Sequence, residues 1–237
     1  MIVLRIILLL SATFLSAHEI TRSYEYDYLR ELVFHGEGKM EIKQGSENHL
    51  EISADPALLR NIKISNNRGV LMILPDDVDF SARFPGIINA KLTVKHLEKI
   101  TLAGNAQVDI DELKGEHFVI VLDLEGAALL EGNLYFDHLI TNLYGSGQVS
   151  LQGEVKTQTI FLKGTGKYAG QNLKSETANV IIRGPGTAFV WATDELNPSI
   201  RGSGNVHHFK HSKSPKILNE KVESKGKVSP YTEGMKK

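Results

Sequence analysis

The sequence predicts an all-β protein built as a parallel β-helix-like solenoid, with coils of about 20 residues and glycine-rich corners. Three observations carry the prediction. A Gly-x-Gly phrase returns at near-even intervals, apolar and polar residues alternate on both sides of it, and no helical period stands between its copies.

The first element is the N-terminal run MIVLRIILLLSATFLSAHE. One basic residue, Arg5, precedes an apolar stretch too short to span a bilayer, and Ser16 and Ala17 are small residues before His18. The run reads as a secretory signal peptide cut after Ala17, although Leu15 fits the small-residue rule imperfectly, and the alternative is an uncleaved membrane anchor. Residues 18–215 then form a single solenoid domain. Residues 216–237 form a charged tail, rich in Lys and Glu, that is a candidate C-terminal cap.

Within the domain, Leu32, Phe34, Gly36, Gly38, Met40 and Ile42 are apolar or small at every second position, as in a strand with one buried face. The next stretch is looser. "GSENHL" (45–50) and "NNRG" (66–69) signal turns, while "LLRNIKI" (58–64) and "VLMIL" (70–74) are strand-like. Pro75, Asp76, Asp77 and Asp79 break the pattern before "INAKLTV" (88–94) resumes it. Irregular coils with some antiparallel pairing are expected here.

The regular coils follow. Gly104, Gly126, Gly145, Gly164, Gly184 and Gly202 head the phrases, and subtracting successive numbers gives intervals of 22, 19, 19, 20 and 18. Two residues before each glycine stand Leu102, Leu124, Leu143, Leu162, Ile182 and Ile200. Four after stand Val108, Leu130, Val149, Tyr168, Ala188 and Val206. Even offsets are apolar or small, odd offsets mostly polar, which is period two. One such unit cannot bury its apolar face alone, but stacked units bury a continuous core. Gly-x-Gly as a phosphate cradle would need a helix after it, and here a strand follows every time.

Composition narrows the function. Lys plus Arg is 27 and Asp plus Glu is 28, so net charge gives no drive toward nucleic acid or lipid headgroups. There is no cysteine, which excludes a thiol nucleophile, a Cys-based metal site and conventional lipoprotein processing.

The odd offsets show what the walls display. Lys163, Arg183 and Arg201 each stand one before the glycine, a cationic ladder suited to an anion such as an acidic glycan or a lipid headgroup, or else long side chains splayed into solvent. Asp109 and Glu131 share an offset, with Asp111, Asp123 and Glu125 nearby; the pair would suit Ca²⁺ binding or acid–base work, but without a partner base or a full coordination shell a solvated acidic edge is the better reading. His207, His208 and His211 suggest a metal, but strand alternation turns His207 and His208 to opposite faces. Phe189, Trp191 and Phe209 fall at odd offsets in the last coils and predict an exposed aromatic patch, unless the tail folds over them. No catalytic residue, metal ligand or cofactor site is assigned.

The phrases "LVFHGEGKMEIKQG" (32–45), "LTVKHLEKITLAGNAQV" (92–108), "LYGSGQVSLQG" (143–153) and "LNPSIRGSGNV" (196–206) occur in an order and spacing that resembles the exported bacterial family called "putative auto-transporter adhesin, head GIN domain". The resemblance covers roughly residues 28–215 and implies a right-handed β-helix-like fold. This chain departs at Ala106 and Ala128, where the second corner glycine is lost, and at "HHFKHSKSP" (207–215), where the family's ending is replaced. The reading that results is a non-enzymatic exported protein of the periplasm, outer membrane or cell surface. Its wall would bind an envelope glycan or a surface protein, or a second copy of itself, with no nucleic acid partner and no transmembrane helix after signal cleavage. The alternative is a polysaccharide lyase or hydrolase, by analogy with other β-helices.

Overall fold

The computed structural model describes residues 19–76, 86–209 and 215–231, without the side chains of 116–118. The expected signal segment, Asp77, Asp79, His211 and residues 232–237 lie outside the described residues.

The chain opens with β1 (Ile20–Glu25), β2 (Glu31–Gln44) and β3 (His49–Ala54). A short helix, α1 (Pro56–Arg60), leads into β4 (Ile62–Asn67), β5 (Val70–Pro75) and β6 (Ile88–Val94). Five long strands make the body: β7 (Lys99–Gly126), β8 (Leu129–Gly145), β9 (Gln148–Gly164), β10 (Lys167–Arg183) and β11 (Thr187–Arg201). The described residues end with β12 (Asn205–Phe209), β13 (Lys216–Ile217), β14 (Lys221–Glu223) and β15 (Lys227–Tyr231).

From β6 onward every neighbour is parallel, in the order β6-β2-β7-β8-β9-β10-β11-β12-β15. Each body strand from β8 to β11 has a first limb leaving one glycine corner and a second limb leading into the next, and β7 runs through one such corner, Gly104, as well. On the first limb Leu130, Val149, Tyr168, Ala188 and Val206 stand in register, and on the second Leu124, Leu143, Leu162, Ile182 and Ile200. All ten are buried, including the five expected inside on period alone: Leu143, Leu162, Ile182, Val149 and Tyr168. Burial of each large apolar side chain is worth about 1.5–3 kcal/mol, and the columns make that core continuous from coil to coil.

The corner glycines stack on one another. Gly145, Gly164 and Gly184 have φ of +115°, +123° and +119°, a region that side-chain-bearing residues avoid. A Cβ on Gly164 would lie 2.5 Å from the Gly145 carbonyl oxygen, and one on Gly145 would lie 2.6 Å from that of Gly126. Glycine is therefore required twice over, by backbone angle and by the coil beneath.

The N-terminal end departs from the regular coil. β1 pairs antiparallel with β3, β3 with β6, and β4 with β5. The first half of "LLRNIKI" is not a strand: Leu58 and Leu59 lie in α1, buried on one face. Asp55 caps the helix, accepting from Ala57 N at 2.7 Å, and Pro56 opens it with its φ already fixed. The Asp-Pro start outweighs the apolar run that reads as a strand.

At the other end the ladder continues beyond residue 215. β13 and β14 pair parallel with β11, and β15 with β12. Val222 aligns with Ile200 and Val228 with Val206, so "VESKGKV" is a worn copy of the repeat. Ser224, at φ +79°, takes the place above Gly202 that glycine holds in earlier coils.

Candidate functional site

The second limbs present an outward column, one residue before each corner. Backbone register places Glu125, Tyr144, Lys163, Arg183, Arg201 and Glu223 in that order, one per coil. Stacked coils sit about 4.8 Å apart, so three like charges stand close enough to repel one another. Among the described residues only Arg201 of the three has a carboxylate partner, Glu223, at 3.3 Å, and that pair is widely exposed and of little worth to stability. The Arg183 guanidinium lies 5.4 Å from the centre of the Phe161 ring. Phe161 also meets Tyr144, with ring centroids 5.7 Å apart and planes tilted by 53°.

Tyr144 is 39% exposed and Ile181, beside Phe161 in the next coil, is 38% exposed. The aromatic neighbours of the basic ladder are thus Tyr144 and Phe161, which the sequence analysis does not single out. A signal for them exists: both fall at odd offsets, one and three before their glycines.

Phe189, Trp191 and Phe209 belong to the first limbs of the last coils and do not join the ladder. They do not form the exposed patch expected of them. Phe209 is only 7% exposed and packs on Tyr231 with centroids 4.6 Å apart, while Phe189 and Trp191 are half-buried. Tyr231 also sits edge-on to Phe189 at 5.6 Å, and His207 stacks on Phe189 at 4.9 Å. Tyr231 of the tail strand β15 covers Phe189 and Phe209, which is the alternative the sequence left open for these two rings.

The acids occupy another place. Glu41, Asp109 and Glu131 stand in register on first limbs. With Asp111, Lys43 and Lys91 they line an open groove of about 730 Å³ at the N-terminal half of the solenoid. Asp123 is not among them: it lies on the second limb, paired with Lys99 at 2.5 Å and accepting from Asn142 at 2.7 Å. His207 and His208 diverge as the alternation requires. His207 Nδ1 is 2.9 Å from Ser229 Oγ on the outside, and His208 is buried. Among the described residues no group of His, Asp and Glu is arranged to hold a metal ion.

A family model described as "putative auto-transporter adhesin, head GIN domain" matches residues 29–211. The chain belongs to this family. A comparison with curated proteins returns no match. Among solved structures, the head GIN domain seen here resembles a putative adhesin from Bacteroides fragilis at TM-score 0.81 and 19% identity, over 91% of this chain and 98% of that one. It resembles a putative lipid binding protein from Parabacteroides distasonis at TM-score 0.69 and 19% identity, covering 92% and 98%. A putative adhesin from Parabacteroides merdae follows at 0.67 and 21%, again covering 92% and 98%. At these identities the likeness establishes the fold. No helix among the described residues of the head GIN domain is long and apolar enough to cross a membrane.

Proposed function

We propose that this head GIN protein is an exported, non-enzymatic binding protein of the cell envelope, and that its second-limb wall holds an anionic polymer along Lys163, Arg183 and Arg201. The observation that carries this reading is the register itself. Three cations stand in consecutive coils on an exposed wall, where adjacent like charges cost stability, and Glu223 offsets only the last of them, through an exposed pair with Arg201. The family's adhesin description and the N-terminal signal pattern support an envelope setting.

An enzyme reading would need acids and bases converging on one substrate. Here Asp109 and Glu131 share the first-limb groove with Lys43 and Lys91, so an enzyme would work there, and the ladder Lys163, Arg183 and Arg201 stands on second limbs, apart from that groove.

The test is calorimetric titration of residues 18–237 with polygalacturonate and with heparin. Saturable binding is expected, weaker as salt rises and at least tenfold weaker in the Lys163→Ala/Arg183→Ala/Arg201→Ala variant. No binding by the wild type, or equal binding by the variant, overturns the proposal. Release of an unsaturated sugar that disappears in Asp109→Ala supports the enzyme instead.

A further inference from the structure

The basic ladder is bounded. In the column that carries it, Glu125 flanks the ladder on one side and Glu223 on the other, and between these two carboxylates stand Tyr144, Lys163, Arg183 and Arg201. A polyanion of indefinite length meets repulsion at both ends of such a strip. The favourable window runs from Tyr144 to Arg201, three coil spacings of ~4.8 Å, or about 14 Å.

The window is also not purely ionic. Its first position is an aromatic ring, and the floor beside it is apolar: Tyr144, Phe161 and Ile181 occupy three successive coils. Two of the three count among the exposed large hydrophobic side chains of a wall whose other outward positions are mostly polar. Phe161 lies at the centre, touching Tyr144 on one diagonal and Arg183 on the other. It holds the tyrosine ring and the guanidinium in fixed places without itself needing to be open to solvent.

A ring with an exposed apolar face, followed by cations at one-coil steps, matches one ligand chemistry. A pyranose presents a C–H face that packs on an aromatic ring, and a chain of acidic pyranoses advances by about one coil spacing per residue. Inorganic polyphosphate or an acidic polypeptide offers the charges but no such face.

We infer that Tyr144 is a sugar-stacking subsite and that the ligand of this wall is a short acidic oligosaccharide of about four pyranose units, lying along the solenoid axis with its acid groups on Lys163, Arg183 and Arg201. The inference rests on the proposal that this wall binds an anion. Phe161 is a positioning residue in this scheme and Tyr144 a contact residue.

The experiment is calorimetric titration of residues 18–237 with oligogalacturonides of defined length, with sulfated oligosaccharides, with inorganic polyphosphate and with anionic phospholipid vesicles. Affinity is expected to rise with oligosaccharide length and level off at about four units, and to exceed that for polyphosphate. The uronate and sulfated arms then distinguish carboxylate from sulfate as the acid group. Tyr144→Ala is expected to weaken oligosaccharide binding roughly tenfold and leave polyphosphate binding unchanged, with Tyr144→Phe restoring the loss because the ring is kept. An unchanged melting temperature shows that both variants fold. If polyphosphate or vesicles bind as well as the uronides, or Tyr144→Ala changes nothing, the stacking subsite is overturned while the anionic wall stands. If no polyanion binds at all, the wall proposal falls with it.

Discussion

Tyr168 donates its hydroxyl hydrogen to Gln158 Oε1 at 2.8 Å inside the solenoid, where both side chains are buried. Gln158 Nε2 donates in turn to Ser175 Oγ at 2.8 Å, and Ser175 Oγ donates to the Trp191 carbonyl oxygen at 2.9 Å. The network ties successive coils together in a core that is mostly apolar. Small neighbours make the room: Ala188 stacks on Tyr168, Ala178 stacks on Gln158, and a Cβ on Gly170 would lie 2.5 Å from the Tyr168 ring.

Tyr168→Phe removes the donor and leaves Gln158 Oε1 buried without it. The expected loss is about 1–3 kcal/mol, measured by urea denaturation. A variant as stable as the wild type would show that the network contributes nothing.

The same burial has a signature in alkali. It pushes the Tyr168 hydroxyl far above its ordinary value, and Tyr26 is pushed up to about 12, first by burial and then by Tyr24. The unfolded chain ionises its tyrosines near 10, so above that pH the unfolded state binds fewer protons and stability falls. Melting temperature should decline from pH 10 upward, through about 12 for the Tyr26 contribution. The decline should be shallower in Tyr168→Phe; equal slopes would contradict it.

His208 sets the acid side. Burial, and then the neighbouring His207, hold its pKa below the usual histidine value. It lies inward between Val190 and Pro230 in register, and its Nδ1 has no hydrogen-bond partner. The unfolded chain takes up this proton near 6.5, so stability is full above that pH and lost as pH falls below it. Melting curves from pH 7.5 to about 5 should show the loss, and His208→Leu should remove part of it.

The glycine column separates two costs. At Gly36 the φ is +136° but a Cβ there would meet nothing within 4 Å, so Gly36→Ala carries backbone strain alone, about 1–3 kcal/mol. Gly164→Ala adds a clash with the Gly145 carbonyl oxygen, about 1–3 kcal/mol more. Denaturation midpoints should rank wild type above Gly36→Ala above Gly164→Ala. The reverse order of the two variants would sink the stacking account.

The tail strands are proposed as a cap. Ending the chain at residue 215 exposes the β11 and β12 edges and uncovers Phe209 from Tyr231. A lower melting temperature, with self-association by light scattering, is expected. A monomeric truncation that melts with the full chain would show that the tail caps nothing.

The coil, its register and its interior are legible in the sequence without any structure. Glycine spacing and period two are local properties repeated many times, and each copy of the phrase confirms the others, so Leu143 or Ile182 needs no partner to be assigned inward. The Lys163, Arg183 and Arg201 alignment follows from the same count. What covers each odd position is settled only once the chain has folded. Nothing local separates Phe209, closed over by a tail residue 22 positions later, from Tyr144, left open on a bare wall. The α1 turn lies beyond the count, because it occurs once and period needs repetition; the antiparallel pairing beside it is legible as a break in the pattern, though not which strands pair. Exposure is a property of what arrives from elsewhere in the chain, and a repeat describes only what each coil does for its neighbour.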